Sequence, residues 1–241
     1  TRPVIPIRGL PDGFDGLTIS QLTDTHLGLW ISIDRFSEMI RAANRTRPDV
    51  IILTGDLVSR SDKITDAMGD ALSKLAAPLG VYAVHGNHDY WTDVQAITHQ
   101  LRRGGVRVLM NEHVLLRRGR DVLPLVGLDD LWDGQPDLES AVAGLPGDSP
   151  RIVLEHNPDY AEQMPGDVRV DLMISGHTHG GQVRLPGDQP ILLPVDHRKY
   201  AAGLVKGPHC PVYVSRGLGV IGPGVRFNCR PELPTLTLRK A

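Results

Sequence analysis

The sequence is poor in cysteine and in aromatic residues. Its 241 residues include only two cysteines, Cys210 and Cys229, and only 5% are Phe, Trp or Tyr. Two cysteines are too few for a disulfide scaffold or for a zinc module built on thiolates. The fold therefore depends on a hydrophobic core, and we expect both cysteines to be free, packed thiols rather than a disulfide.

The sequence also lacks a long apolar run and an excess of one charge. No apolar run approaches the roughly 20 residues that a membrane-spanning helix needs. The 26 Lys and Arg residues nearly balance the 28 Asp and Glu residues, which gives a formal net charge of −2. A near-neutral chain has no bulk electrostatic attraction for nucleic acid, so we do not expect a nucleic-acid partner.

Short apolar runs alternate with amphipathic segments along the first two-thirds of the chain. Five of the runs have the composition of buried central strands: 16–22, 49–54, 80–85, 151–155 and 171–175. Apolar residues at helical spacing predict helices within three segments, the last with Thr92 as its N-cap: 32–49, 64–80 and 92–105. Further strand-like runs after residue 106 predict a second sheet, and no long linker divides the chain. We expect one compact α/β domain over residues 1–241.

Each of the five apolar runs is followed at once by residues that can bind a metal ion. These residues are Asp24 and His26, Asp56, Asn87 with His88 and Asp89, His156, and His177 with His179. Because ligands of α/β sheets bind beyond the carboxyl ends of the strands, the five loops are expected to converge. A set of Asp, His and Asn without Cys suits divalent Mn, Fe, Zn, Co or Ni.

Each of these short motifs has an ordinary explanation when it is considered alone. "TDTH" and "TGD" are typical of turns and helix caps, "GNHD" of a Gly-Asn turn, and "GHTHGG" of a flexible loop. Five such loops at five strand ends, in one chain, instead indicate a single metal site.

The ordered series D-x-H, GD, GNHD, a lone His after a strand, and GHTH resembles the calcineurin-like metallophosphoesterase superfamily. The motifs "SGHTHGGQ" and "RFNCRPE" resemble a bacterial branch whose catalytic domain is often membrane-anchored or exported. The resemblance implies an α/β fold in four layers, α/β/β/α, with two facing mixed sheets flanked by helices. It favours a membrane-associated or exported protein, and it leaves open both an N-terminal anchor or signal outside this sequence and a cytoplasmic location.

The resemblance also implies a role for each residue of the cluster. Asp24, His26 and His179 would hold one metal ion, Asp56 would bridge two ions, and Asn87, His156 and His177 would hold the second. A hydroxide that bridges the two ions would then attack phosphorus in line, with Asp56 holding the bridge. His88 would remain free to assist the leaving group.

Several further residues are weaker candidates. Protein phosphatases of this superfamily carry GDxVDRG, whereas this chain has "GDLVSRS", with Ser59 in place of a carboxylate that orients a histidine. Arg60 matches the arginine of that motif and is a candidate phosphate contact. Asp89 would either orient a histidine or cap a helix. Three further candidates to line the substrate site are Asp129, Asp130 and Trp132.

Three functions remain open at this level. The first is a metal-dependent phosphoesterase for small, nucleotide-linked or lipid-linked esters, with diesters favoured over monoesters and over phosphoproteins. The second is a manganese-dependent nuclease of the same superfamily. The third is a metal-binding interaction scaffold without turnover, which would have no need for a free histidine beside a complete ligand set.

Overall fold

Two six-stranded mixed sheets lie face to face in the computed structural model, which describes residues 1–241. The first sheet has the order β1-β14-β2-β3-β4-β5, and its strands from β2 to β5 are parallel. The strands are β1 (Val4–Ile7), β14 (Thr235–Lys240), β2 (Thr18–Leu22), β3 (Val50–Thr54), β4 (Val81–Val84) and β5 (Arg107–Val108).

The second sheet has the order β12-β13-β9-β8-β7-β6, with parallel strands from β13 to β7 and an antiparallel strand at each edge. Its strands are β12 (Gly203–Lys206), β13 (Pro211–Val214), β9 (Leu172–Ser175), β8 (Ile152–Leu154), β7 (Asp121–Gly127) and β6 (Glu112–Arg118). A short hairpin is formed by β10 (Arg184–Leu185) and β11 (Gln189–Pro190).

Six helices cover the outer faces of the two sheets or follow their strand ends. They are α1 (Ile33–Arg45), α2 (Asp66–Leu72), α3 (Asn87–Thr92), α4 (Val94–Arg103), α5 (Leu138–Ala141) and α6 (Tyr160–Gln163). Short 3₁₀ turns occupy Asp12–Phe14, Ser61–Lys63, His179–Gly181 and Arg198–Ala201. None of the helices combines the length and apolar composition that crossing a bilayer requires.

Three hydrophobic clusters separate the layers. The central cluster of 21 buried residues lies between the sheets and includes Ile52 and Leu154. A second cluster packs the outer face of the first sheet against α1, α2 and α4, and a third packs the second sheet against α5 and α6. Ile52 of β3 belongs to the central cluster and Ile51 to the second. Successive side chains of a strand point to opposite faces of the sheet, and both faces of this strand are buried. The expected α/β/β/α arrangement is confirmed.

The structure corrects two of the predicted helices. The helix predicted within 64–80 ends at Leu72, and the Asn44 side chain holds the loop that follows by donating to the Lys74 carbonyl oxygen and accepting from the Ala76 N–H. The N-cap of α4 is Asp93, whose carboxylate accepts from the Ala96 N–H at 3.0 Å, whereas Thr92 ends α3.

The structure also corrects the sheet to which two strands belong. The apolar run after residue 106 divides at Asn111, which has a positive φ of 52°. Its first part, β5, joins the edge of the first sheet, and only its second part, β6, joins the second. The C-terminal strand β14 returns to the first sheet and inserts between β1 and β2.

Candidate metal centre

Seven buried side chains meet at the carboxyl ends of five parallel strands. Three of the strands, β2, β3 and β4, belong to the first sheet, and two, β8 and β9, belong to the second. The side chains follow these strands within two to four residues: Asp24, His26, Asp56, Asn87, His156, His177 and His179. The site therefore lies where both sheets end, and the structure brings all the residues predicted as ligands to one place.

Asp56 belongs to two groups of possible ligands. Its side chain and those of Asp24, His26 and His179 offer ligand atoms within 4.8 Å of one another, and so does the group of Asp56, His156 and His177. The Oδ2 atom of Asp56 lies 3.5 Å from His26 Nε2, whereas its Oδ1 atom lies 3.4 Å from His156 Nε2. The two oxygens of this one carboxylate therefore face two different sets of ligands.

Hydrogen bonds orient three of the imidazole rings. His156 Nδ1 donates to the Thr54 carbonyl oxygen at 2.7 Å, and His177 Nε2 donates to the Pro194 carbonyl oxygen at 2.7 Å. His26 Nδ1 lies 2.6 Å from Ser59 Oγ. In each ring the remaining nitrogen points into the cluster, which is the arrangement that leaves a lone pair for a cation. Ser59 therefore contacts the His26 ring with a neutral hydroxyl.

The donor set fits a pair of divalent cations. The Oδ1 atom of Asn87 is buried and has no hydrogen-bond partner, although an amide oxygen in that position loses its hydration on folding. Imidazole nitrogens, carboxylate oxygens and one amide oxygen are ligands that borderline divalent ions accept. A cation beside Asn87 would satisfy this otherwise unpaired oxygen.

Backbone strain is concentrated in the same residues. Ten non-glycine residues have a positive φ, and five of these ten residues belong to the cluster. These are Asp24 (52°), His26 (46°), Asp56 (54°), His177 (70°) and His179 (50°). The left-handed conformation costs a residue with a Cβ on the order of 1 kcal/mol, so its recurrence here indicates a functional constraint.

Gly55 allows the two sheets to approach at the cluster. It has a positive φ of 85°, and a Cβ at this position would lie 2.6 Å from His156 Nδ1 and 2.6 Å from the Gly86 nitrogen. The loop after β3 can therefore pass close to the loops after β4 and β8 only without a side chain at residue 55.

Burial and mutual contact shift the protonation of the cluster. Burial lowers the pKa of His26 and of His177 to about 3, and it raises the pKa of Asp24 to about 7. Burial also opposes the charge of His156, but the neighbouring acidic groups, Asp56 foremost among them, together outweigh burial and raise the pKa of His156 well above its usual range. Most of the imidazoles are therefore neutral, while Asp24 and His156 retain protons near neutral pH.

His88 lies beside the cluster but outside both groups of ligand atoms. Its backbone N–H donates to Asp56 Oδ1 at 2.9 Å. Its half-buried ring packs edge-on against His26 at 4.8 Å and against Trp91 at 4.6 Å between ring centroids. Burial lowers the pKa of His88.

Asp89 binds backbone rather than a histidine. Its Oδ1 atom accepts from the Leu57 N–H at 2.8 Å, and its Oδ2 atom accepts from the Gly86 N–H at 3.0 Å, while His85 Nδ1 is 4.0 Å away. The carboxylate thus caps α3 and joins the Asp56 loop to the Asn87 loop.

Two other candidates make their hydrogen bonds outside the cluster. Arg60 is exposed, and its Nε donates to Asp62 at 2.9 Å, so the structure does not bring its guanidinium to the site. Asp130 is buried within its own loop, where it accepts from the Trp132 and Asp133 N–H groups. Trp132 does reach the site, since its ring packs edge-on against His177 at 4.5 Å.

A cavity of about 510 Å³ opens onto the cluster. Its base contains Asp56, Asn87, His88, His177 and His179. Its walls are largely apolar and include Trp91, Trp132, Val183, Ile191, Leu192, Pro194, Ile221 and Pro223. The cavity gives a ligand access to the cluster and to His88 together.

Residues 17–181 match the family model described as calcineurin-like phosphoesterase. The chain belongs to this family. It is 35% identical over 234 residues to the uncharacterized metallophosphoesterase YkuE of Bacillus subtilis, covering 95% of this chain and 82% of the relative. It is 36% identical over 222 residues to phosphodiesterase YaeI of Escherichia coli, and this match covers 90% of this chain and 80% of the relative.

Solved structures support the fold of this calcineurin-like phosphoesterase. The NAD nucleotidase of Haemophilus influenzae superposes with a TM-score of 0.52 over 87% of this chain, at 13% sequence identity. The chain spans about half of that protein, since the match covers 48% of it. At this identity the likeness shows the metallophosphatase fold alone.

The sequence alone did not indicate the role of one partly buried arginine of this phosphoesterase, Arg226. Arg226 donates to the carbonyl oxygens of Gly219 at 2.7 Å, Arg216 at 2.8 Å and His179 at 3.2 Å. Cys229, a buried free thiol, also contacts the His179 carbonyl oxygen at 3.2 Å. The "RFNC" segment therefore fixes the loop of His179. In the sequence this motif indicated only the family resemblance and a packed thiol at Cys229.

We predict that Asp89→Asn weakens metal binding by about tenfold or more, because an amide NH₂ would face a backbone N–H that the carboxylate now binds. Affinity for Mn²⁺ would be measured by competition with a chromogenic chelator. Asp93→Asn is the matched control, since asparagine also serves as an N-cap for α4. Equal Mn²⁺ affinities for the wild type and Asp89→Asn would contradict this role of Asp89.

We predict that metal binding releases protons near pH 7, and that metal affinity rises with pH. Asp24, with a pKa of about 7, and His156, with a raised pKa, hold protons that a cation must displace. As pH rises these protons are lost beforehand, so they compete less. Titration calorimetry in two buffers of different ionisation enthalpy counts the released protons. Identical heats in both buffers would refute the prediction.

Proposed function

We propose that residues 1–241 form a single catalytic domain that hydrolyses phosphodiesters with two divalent metal ions. The main observation in support is the Asp56 carboxylate, whose two oxygens belong to two separate groups of ligand atoms. The similarity to a relative named as a phosphodiesterase is consistent with this proposal.

The residues of the cluster divide between two cations. In this proposal Asp24, His26 and His179 hold one ion, Asn87, His156 and His177 hold the other, and Asp56 contacts both. Ions at these positions would supply positive charge to a phosphate group and lower the pKa of a water molecule. The donor set suits Mn, Fe, Zn, Co or Ni.

His88 is proposed as the residue that moves a proton to the leaving group. It lies at the base of the cavity, and its position is fixed by its backbone hydrogen bond to Asp56. Its imidazole is not needed as a metal ligand, so either nitrogen is available to a substrate oxygen. Because burial lowers its pKa, the protonated form is most abundant on the acid side of neutrality.

The residues around the cavity favour a diester over a monoester. No Lys or Arg lines it, and Arg60 is engaged with Asp62 on the surface, so no cationic side chain is added for a dianionic monoester. No Ser or Cys lines the cavity either, and Thr178 donates its hydroxyl to the Ala201 carbonyl oxygen. We therefore propose direct hydrolysis without a phospho-enzyme, with inversion at phosphorus.

The same observations speak against the two alternatives. A nuclease tracks a polyanion with basic side chains, and the cavity offers none. A metal-binding scaffold without turnover would not require a free histidine beside the ligands, and His88 lies at the cavity outside both groups of ligand atoms.

The test is hydrolysis of bis-p-nitrophenyl phosphate and p-nitrophenyl phosphate by metal-stripped protein, with Mn, Co, Ni, Zn or Mg added back. We predict that one or more of these ions restores turnover, that the diester is preferred, and that Asp56→Asn abolishes metal-dependent turnover. His88→Ala is expected to lower kcat by about 10²- to 10⁴-fold while the bound metal is retained.

His209→Ala provides the matched control, because His209 is exposed and lies outside the cavity. Its kcat and metal content should equal those of the wild type. Folded, metal-loaded wild-type protein that hydrolyses neither ester would contradict the proposed function.

A further inference from the structure

Exposed apolar side chains surround the mouth of the cavity. We define the apolar rim as Trp30, Trp91, Trp132, Ile191, Leu192 and Phe227. Leu192 is 76% exposed and Trp91 is 57% exposed. The rim contains all three tryptophans of a sequence that is only 5% aromatic. Scattered exposed residues need no explanation, but a contiguous patch at a site does.

The apolar rim is continuous with the cavity. Trp91, Trp132, Ile191 and Leu192 line the cavity and are exposed as well. The other two members are joined to lining residues, since Trp30 Nε1 donates to the Gly222 carbonyl oxygen at 3.0 Å and Phe227 forms a β-bridge with Val183.

The rim also reaches the residues of the candidate metal centre. Trp91 packs against His88 with ring centroids 4.6 Å apart, and Trp132 packs against His177 at 4.5 Å. Two aromatic side chains of the rim are therefore in direct contact with residues at the base of the cavity.

The polar side chains of the cavity wall are already used within the protein. Gln182 donates from Nε2 to the Ile221 carbonyl oxygen at 2.9 Å and accepts the Ile221 N–H at 2.9 Å. Thr178 donates to the Ala201 carbonyl oxygen at 2.9 Å. Away from the cluster, the polar side-chain groups that the wall leaves free are few, chiefly the indole N–H groups of Trp91 and Trp132. Recognition there rests mainly on apolar contact.

We infer that the apolar rim binds the hydrocarbon chain of an amphiphilic phosphodiester presented at a lipid surface. This inference rests on the proposed function, which places the phosphate at the cluster. With the proposed metal ions bound, the cluster would supply positive charge to the phosphate group. The rim supplies apolar surface to the hydrocarbon chain. Partly exposed tryptophans are also the side chains that favour the interfacial region of a bilayer.

A second copy of the protein is the main alternative occupant of the rim. Such a copy would cover the mouth of the cavity, because four of the six rim residues line it. A lipid substrate instead uses the rim and the cavity at the same time, which is why we favour it.

The first test is a series of alkyl p-nitrophenyl phosphodiesters from methyl to octyl, assayed with Mn²⁺. A fully buried methylene contributes up to about fourfold, so we predict that kcat/KM rises at least about tenfold across the series. In the double variant Ile191→Ser/Leu192→Ser, kcat/KM should increase much less with the length of the alkyl chain. The matched control Val4→Ser/Leu204→Ser changes two exposed apolar residues outside the rim and should keep the wild-type slope.

The second test does not depend on turnover. Metal-free wild-type protein is mixed with vesicles of phosphatidylcholine and phosphatidylglycerol, and tryptophan emission and co-sedimentation are recorded. All three tryptophans lie in the rim, so contact with the vesicles should shift the emission to shorter wavelength. The shift and the co-sedimentation should be lost in Ile191→Ser/Leu192→Ser and retained in the control variant.

The outcomes separate this inference from the proposed function. Turnover that is independent of chain length, without vesicle binding, would overturn the inference and leave the function intact. A dimer in sedimentation that Ile191→Ser/Leu192→Ser abolishes would assign the rim to a second copy and also overturn it. Absence of turnover on every ester would overturn the proposed function, and the substrate assignment with it.

Discussion

The sharing of one buried carboxylate between two sets of ligands is the constraint on which the rest of the site depends. Asp56 contacts His26 on one side and His156 on the other, and it also accepts the backbone N–H of His88. These partners follow strands of both sheets, so Asp56 can meet them only if the two sheets end together. The packing of the sheets thus determines the geometry of the site.

This arrangement is costly for the fold. Five residues of the cluster adopt the left-handed conformation, at on the order of 1 kcal/mol each, and two carboxylates are buried among imidazoles. A typical domain is stable by only about 5–15 kcal/mol, so the site destabilises the protein appreciably. The three hydrophobic clusters offset this cost. Cations that bind the folded chain alone would offset it further.

The positions of the candidate ligands could be predicted from the sequence because they depend on a local pattern. Each follows an apolar run that forms a buried parallel strand, and the ends of such strands converge whatever the connecting segments are. Asp24 and His156 were placed in this way although they lie 132 residues apart. The four-layer fold required the family resemblance, because strand order leaves no periodic signal.

The remaining features depend on tertiary contacts that no local pattern encodes. Arg226 gains its role from carbonyl oxygens of separate loops, and the apolar rim is assembled from five segments of the chain. Arg60 matches a motif position, yet Asp62, two residues later, draws its guanidinium to the surface. The insertion of β14 into the first sheet likewise depends on pairing with β1 and β2, which the strand's own composition does not specify.

The most direct test of the central claim is anomalous diffraction at the manganese absorption edge from crystals of the protein grown with Mn²⁺. The account predicts two peaks in the cluster, one on each side of the Asp56 carboxylate, with Asn87 Oδ1 among the ligands of the ion beside His156. A single peak, or peaks that Asp56 does not contact, would contradict it.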